Sequence, residues 1–173
     1  KNFQDKNLYP KEIIKGVILG TMSDIIKNDK NYFSFILVPI AINFLGKCIS
    51  KDKSFSFNEN ESEDFNRFID ELMPEEYKKI NKKINLYDKF RNGMLNMLKP
   101  KKGIGFTHAT EAKKFKAKHL QIDDDNNVVL IIEELWEDIE NAANKVLKIK
   151  FDEDDKMSKP FIGVPQEIKH KKI

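Results

Sequence analysis

Residues Tyr32 to Gly46 read YFSFILVPIAINFLG, and this run constrains the fold more than any other stretch of the chain. It is shorter than the ~20 residues a spanning helix needs, and Ser34, Pro39 and Asn43 interrupt it. No membrane span is expected. A helix apolar nearly all round must be buried among other elements. The run therefore predicts a central helix over about Phe33 to Ile49, bent or begun near Pro39.

The flanking sequence supplies the elements to bury it. Tyr9-Pro10-Lys11-Glu12 opens a helix with Pro10 in its first turn. Ile13, Ile14, Val17, Ile18, Met22, Ile25 and Ile26 then form an apolar face, and Asn28-Asp29-Lys30-Asn31 ends it. Beyond the central helix, Lys51 to Glu61 is a polar loop carrying Phe55 and Phe57. A third helix is predicted from about Glu63 to Met73, on the spacing of Phe65, Phe68, Ile69 and Leu72. Pro74 opens a fourth from Glu75 to Leu98, closed by Lys99-Pro100.

The pattern then shortens. Gly103-Ile104-Gly105-Phe106-Thr107-His108 has the broken character of an edge strand. Ala117 to Ile122 and Asn127 to Ile131 predict an antiparallel hairpin across Asp123-Asp124-Asp125-Asn126. From about Glu133, the residues Leu135, Trp136, Ile139, Ala142, Ala143, Val146 and Leu147 mark a last amphipathic helix. The expected fold is mostly α with minor β: about five helices, with a small antiparallel hairpin near residues 103–131 between the last two. A length of 173 residues suits one domain, read as 1–150, followed by an extended tail over 151–173.

Composition limits the chemistry. The single Cys48 sits in the apolar run and can form no internal disulfide, which suits a reducing compartment. The opening Lys1-Asn2-Phe3-Gln4-Asp5-Lys6 carries no apolar signal region, so a cytoplasmic location is expected. No zinc-ligand spacing, EF-hand loop, Walker A loop or GxSxG motif is present. No metal or cofactor is expected.

Charge is segregated along the chain. From Lys78 to Lys118, thirteen cationic residues face two acids, a balance of +11. From His119 to Asp155, twelve acids face three lysines, a balance of −9. A basic surface for phosphates is one reading. Blocks that are solvated, or that meet within the fold or across a dimer, are the simpler reading, because no cluster of stacking aromatics accompanies the lysines.

Only two arginines stand among 29 lysines, Arg67 and Arg91. Arg91 lies on a half-apolar helical segment beside Asn92, where a guanidinium favours a planar, bidentate contact. Asn81, Asn85, Asp88, Asn92 and Asn96 recur at three- and four-residue spacings, which places them on one face of an unbroken helix. For Asn81 and Asn85 a solvated face is expected, and for Asn92 and Asn96 a polar seam. Gly93 predicts close approach of another helix. Asn43 reads as a satisfied core amide and Trp136 as core packing; His108 and His119 flank the hairpin, where a single histidine is usually structural.

Asn43-Phe44-Leu45-Gly46 followed by Leu86-Tyr87-Asp88-Lys89-Phe90-Arg91-Asn92-Gly93-Met94-Leu95-Asn96 resembles the HEPN-like helical proteins of bacteria, in a group pairing a "DFLG" helix with a later "LYxxxRxGLxH" helix. His119-Leu120 and Leu135-Trp136-Glu137-Asp138-Ile139 extend the likeness, which covers roughly Tyr9 to Leu147. The resemblance implies a helical bundle that pairs as a two-fold dimer and, in active members, metal-independent cleavage of RNA. The family motif is an Arg, a polar residue, and a His further on; Arg91 and Asn92 match the first two positions. With four, five or six residues between, the His position falls on Asn96, Met97 or Leu98. None is a histidine. An amide accepts and donates hydrogen bonds but has no usable pKa, so it cannot relay the proton that 2′-hydroxyl attack requires.

The expectation is therefore a dimerising binding module without RNase chemistry, its homodimer holding a protein or RNA partner. The binding residues expected are Arg91, Asn92 and Asn96, with Lys113, Lys114 and Lys116 as the basic contact. The alternative is an endoribonuclease in which His108 or His119 supplies the imidazole beside Arg91 and Asn92.

Overall fold

In the computed structural model of the chain, residues 8–28, 32–55 and 61–161 are described. Phe57 and the tail's Gly163, Pro165 and Lys169-His170-Lys171-Lys172 lie outside them. The fold is mostly helical, with one small sheet. In order it comprises α1 (residues 10–28), α2 (Phe33–Cys48), α3 (Glu61–Leu72), α4 (Glu75–Ile84), α5 (residues 87–97), β1 (Ile104–Thr107), α6 (Ala109–Phe115), β2 (Val128–Ile131) and α7 (Ile132–Lys148).

The first helix starts as its sequence dictates. Pro10 takes the first position, and the Glu12 carboxylate accepts from the Tyr9 N–H at 2.9 Å, closing one orphan donor of the helix start. Its middle, Ile14–Met22, is wound in wide π-type turns. The second helix runs through Pro39 without ending. Phe35, Val38, Ala41, Ile42, Leu45 and Cys48 are buried on it, but Phe33 and Ile40 stand half-exposed. Its apolar surface is thus only partly covered.

Gly46 sets how α2 meets α3. A Cβ there would come within 1.9 Å of the Asp64 carbonyl oxygen, so the backbones approach as closely as glycine alone permits. Around this contact one apolar core runs from Ile14 to Met157, and Phe65, Phe68, Trp136, Ile139, Ala142 and Val146 within it are fully buried. Lys145 on α7 donates to the Leu72 carbonyl at 3.1 Å, placing a cation at the C-terminal end of α3.

The helix expected from Glu75 to Leu98 is broken at Asn85. Asn85 adopts φ +54°, a left-handed conformation asparagine tolerates, and its side-chain oxygen accepts from the Asp88 N–H at 3.1 Å. The Asn81 side chain accepts from the Leu86 N–H and donates to Asn66, both at 2.8 Å. Two asparagines expected on a solvated face therefore form a joint, because their amides satisfy the backbone groups that the break frees. Gly93 is a close-approach point, but the partner is the segment after α5 rather than a helix: a Cβ there would meet the Lys99 carbonyl at 2.6 Å.

The strand pair also departs from expectation. β1 and β2 run parallel, with Ile104 opposite Val128 and Thr107 opposite Ile131, and the unexpected helix α6 lies between them. Parallel strands need a crossover, and α6 with the following loop provides it. The Asp123–Asn127 turn does form: Asp123 accepts from the Asn127 N–H at 2.7 Å and Asp125 N–H at 3.0 Å. The second half of the predicted partner does pair antiparallel with β2: the Leu120 N–H donates to the Val129 carbonyl at 2.8 Å, the Val129 N–H to the Gln121 carbonyl at 2.9 Å, and Ile122 bridges Val128. Left-handed Lys116 and Leu120 (φ +54° and +60°) turn the preceding residues out of strand conformation.

Residues 152–161 are not an extended tail. Asp155 caps a short 3₁₀ turn, Lys156–Ser158, and Met157 enters the main core. The buried Lys156 ammonium donates to the Ser50 and Asp52 carbonyls, at 2.5 and 3.0 Å, and the Phe161 N–H reaches the Leu8 carbonyl at 2.7 Å. Among the described residues no helix is long and apolar enough to cross a membrane.

Candidate functional site

Arg91 lies in the wide turns at the start of α5, Tyr87–Asn92, and is mostly covered. One terminal nitrogen, Nη2, pairs with Glu61 at the start of α3, and Nη1 donates to Asn92 Oδ1 at 3.0 Å. The guanidinium carbon stands 5.3 Å from the centre of the Tyr87 ring. The contact is thus split between a carboxylate and an amide rather than made as a fork on one acid. Its Nε is buried and has no hydrogen-bond partner.

Arg91 lines a cleft of about 300 Å³ between α2, α3, α5 and the end of the 152–161 segment. Asn43, from the first segment of the family-like pattern, lines the same cleft, and its Oδ1 is also buried and unpartnered. Asn43 is therefore not a satisfied core amide. Trp136 Nε1 is the third unpartnered buried polar atom among the described side chains, and it does not border the cleft. Each such group costs about 1–3 kcal/mol of lost hydration unless something supplies the missing bond.

The remaining walls are charged on one side and apolar on the other. Lys47 pairs with Asp52 and lies 3.6 Å from Asp64, which in turn takes Arg67 at 2.6 Å. Lys47 and Arg91 thus face Glu61 and Asp64 in the lining, two charges of each sign. Ile40 and Leu95 supply aliphatic wall. Phe161 packs edge-on against Phe44 and Phe55, with centroids 5.5 and 4.9 Å away, and all three rings border the space.

The expected site is only partly assembled here. Arg91 and Asn92 bond to each other, whereas Asn96 is exposed and Leu95 takes the wall position. A four-residue spacing brings Leu95 back to the Arg91 face, and the next residue turns away. Lys113, Lys114 and Lys116 are exposed at the end of α6, far along the chain, around a Phe115 that is 78% exposed. Asn43, Glu61 and Lys47 were not legible as site residues; only the fold brings them to Arg91.

Both histidines of the α6 region are committed elsewhere. His119 Nδ1 accepts from the Ile131 N–H at 2.9 Å, so the ring proton sits on Nε2, 2.8 Å from the Tyr77 oxygen. Tyr77 then donates to Asp138 at 2.7 Å, completing a buried relay. Burial pushes the His119 pKa down to about 4, against a smaller opposing pull from Asp138. Burial, then the Asp138 bond, drive the Tyr77 pKa up. His108 contacts Glu133 at 3.2 Å through Nδ1 and packs its ring on Phe35. Glu133 also accepts from the Ala109 N–H at 2.8 Å, tying down the start of α6.

Fold and site together define a mostly helical protein with a charge-balanced cleft, two of whose lining residues, Arg91 and Asn43, each carry one buried polar atom without a hydrogen-bond partner. No family model, no curated protein and no solved structure matches this chain.

Proposed function

We propose that this chain is a HEPN-like binding module of the cytoplasm, working as a homodimer that docks a protein partner at the Arg91 cleft and performs no RNA cleavage of its own. The observation that carries the reading is a cleft lined by Arg91 and Asn43, beside Lys47, Glu61, Asp64 and the rings of Phe44, Phe55 and Phe161. A protein is favoured over a polyanion there because Glu61 already neutralises Arg91 and Asp64 would repel phosphate. RNase chemistry is disfavoured because the imidazoles of His108 and His119 are engaged by Glu133, Ile131 and Tyr77. Proton-relay catalysis supplies ~10²–10⁴-fold, so its loss leaves little rate.

Dimerisation draws its support from an exposed apolar patch. The Tyr32 hydroxyl donates to the Leu98 carbonyl at 2.5 Å, bringing half-exposed Tyr32 beside Leu98, which is 58% exposed; their chain neighbours Phe33 and Met97 are 50% and 67% exposed. Leu98 holds φ +54°, where glycine costs less, so the isolated fold gains nothing from a leucine there. Leu98→Gly should leave monomer stability unchanged or slightly raised and weaken the dimer at least tenfold, read by sedimentation equilibrium. A monomeric wild-type chain, or metal-independent RNA cleavage abolished by Arg91→Ala, would overturn the reading.

One observation favours RNA at a different surface. Exposed Phe115 stands among exposed Lys113, Lys114 and Lys116, a stacking ring among phosphate-binding charges. RNA affinity that falls steeply with salt and disappears on charge reversal of these lysines would support that second contact.

A further inference from the structure

A second cavity adjoins the Arg91 cleft and shares the rings of Phe55 and Phe161 with it, but its charge is of one sign. It holds about 380 Å³ between the loop after α2 and the segment 152–161, and Lys53, Lys156 and Lys159 line it with no carboxylate beside them. Lys53 and Lys159 are exposed, and neither takes part in an ion pair among the described residues. Lys156 is held by the Ser50 and Asp52 carbonyls, so it adds positive field rather than a second reach into the space. Two carboxylates act on Lys156, and both are engaged: Asp52 pairs with Lys47, and Asp155 accepts from the Met157 N–H at 2.7 Å. Two uncommitted ammonium groups match the two charges of a phosphate monoester, whose second ionisation lies at about pH 6. Lysine binds phosphate as a point charge on a flexible stem, so exposed Lys53 and Lys159 can close on such a group from either side. Phe55, Pro160 and Phe161 give the space an apolar wall for the rest of the molecule.

We propose that this cavity binds a small organic phosphate monoester, its dianion held by Lys53 and Lys159 and its apolar part lying against Phe55, Pro160 and Phe161. The site stands apart from docking at the Arg91 cleft and does not depend on it.

The full chain is titrated with phenyl phosphate and, separately, with inorganic phosphate and benzoate, read from the backbone amide signals of Ser54, Phe55 and Phe161 in a ¹⁵N–¹H correlation spectrum. A saturable shift with phenyl phosphate is expected, with inorganic phosphate and benzoate each binding at least fivefold more weakly. Lys53→Gln and Lys159→Gln should each weaken phenyl phosphate at least threefold and together at least tenfold, and being exposed and unpaired they leave the fold intact. Lys113→Gln with Lys114→Gln, on α6, should change nothing. Affinity should drop at least fivefold between pH 7 and pH 5, as the ligand's dianion takes up a proton. No saturable shift up to the solubility limit of phenyl phosphate overturns the proposal. So does equal affinity for inorganic phosphate or benzoate, or binding that survives the Lys53 and Lys159 changes and is lost with those at Lys113 and Lys114.

Discussion

His119 shows how one residue's role is set by what surrounds it. Its native pKa, about 4, lies well below the 6.5 of an unrestrained imidazole. The unfolded chain therefore binds a proton that the native chain refuses, and stability falls as pH drops from 6.5 towards 4, then levels off. Allowing for partial exposure, the loss across that window should be on the order of 2 kcal/mol. Urea midpoints for wild type and His119→Gln should differ most near pH 7 and converge near pH 4. A wild-type midpoint flat across that range would show that the ring is not held neutral. Two bases of the same type flank α6, and nothing in their local sequence marks one as buried in a relay with Tyr77 and Asp138. That difference arises from residues 42 and 19 positions away from His119.

At the scale of elements, local sequence chose helices well and their ends less well. Pro10, Pro74 and the apolar periods placed α1 to α3, the start of α4, and α7 near their observed positions. Asn85 escaped notice because the periodicity continues past it, while its left-handed backbone is stabilised by amides satisfying neighbouring N–H groups. Asn85→Gly should be nearly neutral, since it relieves the positive φ while losing the bond to Asp88. Asn85→Ala loses that bond and strains the backbone, costing about 2 kcal/mol in chemical denaturation. Gly46→Ala should cost about 3 kcal/mol or more, because its Cβ would press on the Asp64 backbone where α2 meets α3. A thermal midpoint unchanged by Gly46→Ala would contradict that packing. Helix α6 was hidden in a lysine-rich stretch with one buried residue, Ala112, so it carries no apolar stripe to announce it.

For the whole molecule, charge segregation in sequence does not become charge pairing in space. Lys78 meets Glu75 and Lys114 meets Glu111, each three residues away, and Lys101 meets Asp88 within the same block; across the two blocks, His108 Nδ1 contacts Glu133 at 3.2 Å. The Lys101 bond, ahead of other causes, holds the Asp88 carboxyl below its usual range. Exposed pairs of this kind contribute little to stability. The segment 152–161 contributes more, because Met157 is sealed in the core and Lys156 bonds two carbonyls across the molecule. Met157→Ala should therefore cost about 2–4 kcal/mol by urea unfolding, although its sequence context reads as a tail. A change within experimental error would place these residues outside the cooperative core.

The sequence alone determined the helical class, the apolar character of α2 and the rarity of arginine that singles out Arg91, because period, proline placement and composition act over neighbouring residues. Tertiary structure alone decided that the strands run parallel, that Asn43, Glu61 and Lys47 line one cleft with Arg91, and that His108 and His119 are spent on structural bonds. Hydrogen-bond satisfaction and close packing between distant segments make those choices, and a linear pattern carries no record of which distant partner will be met.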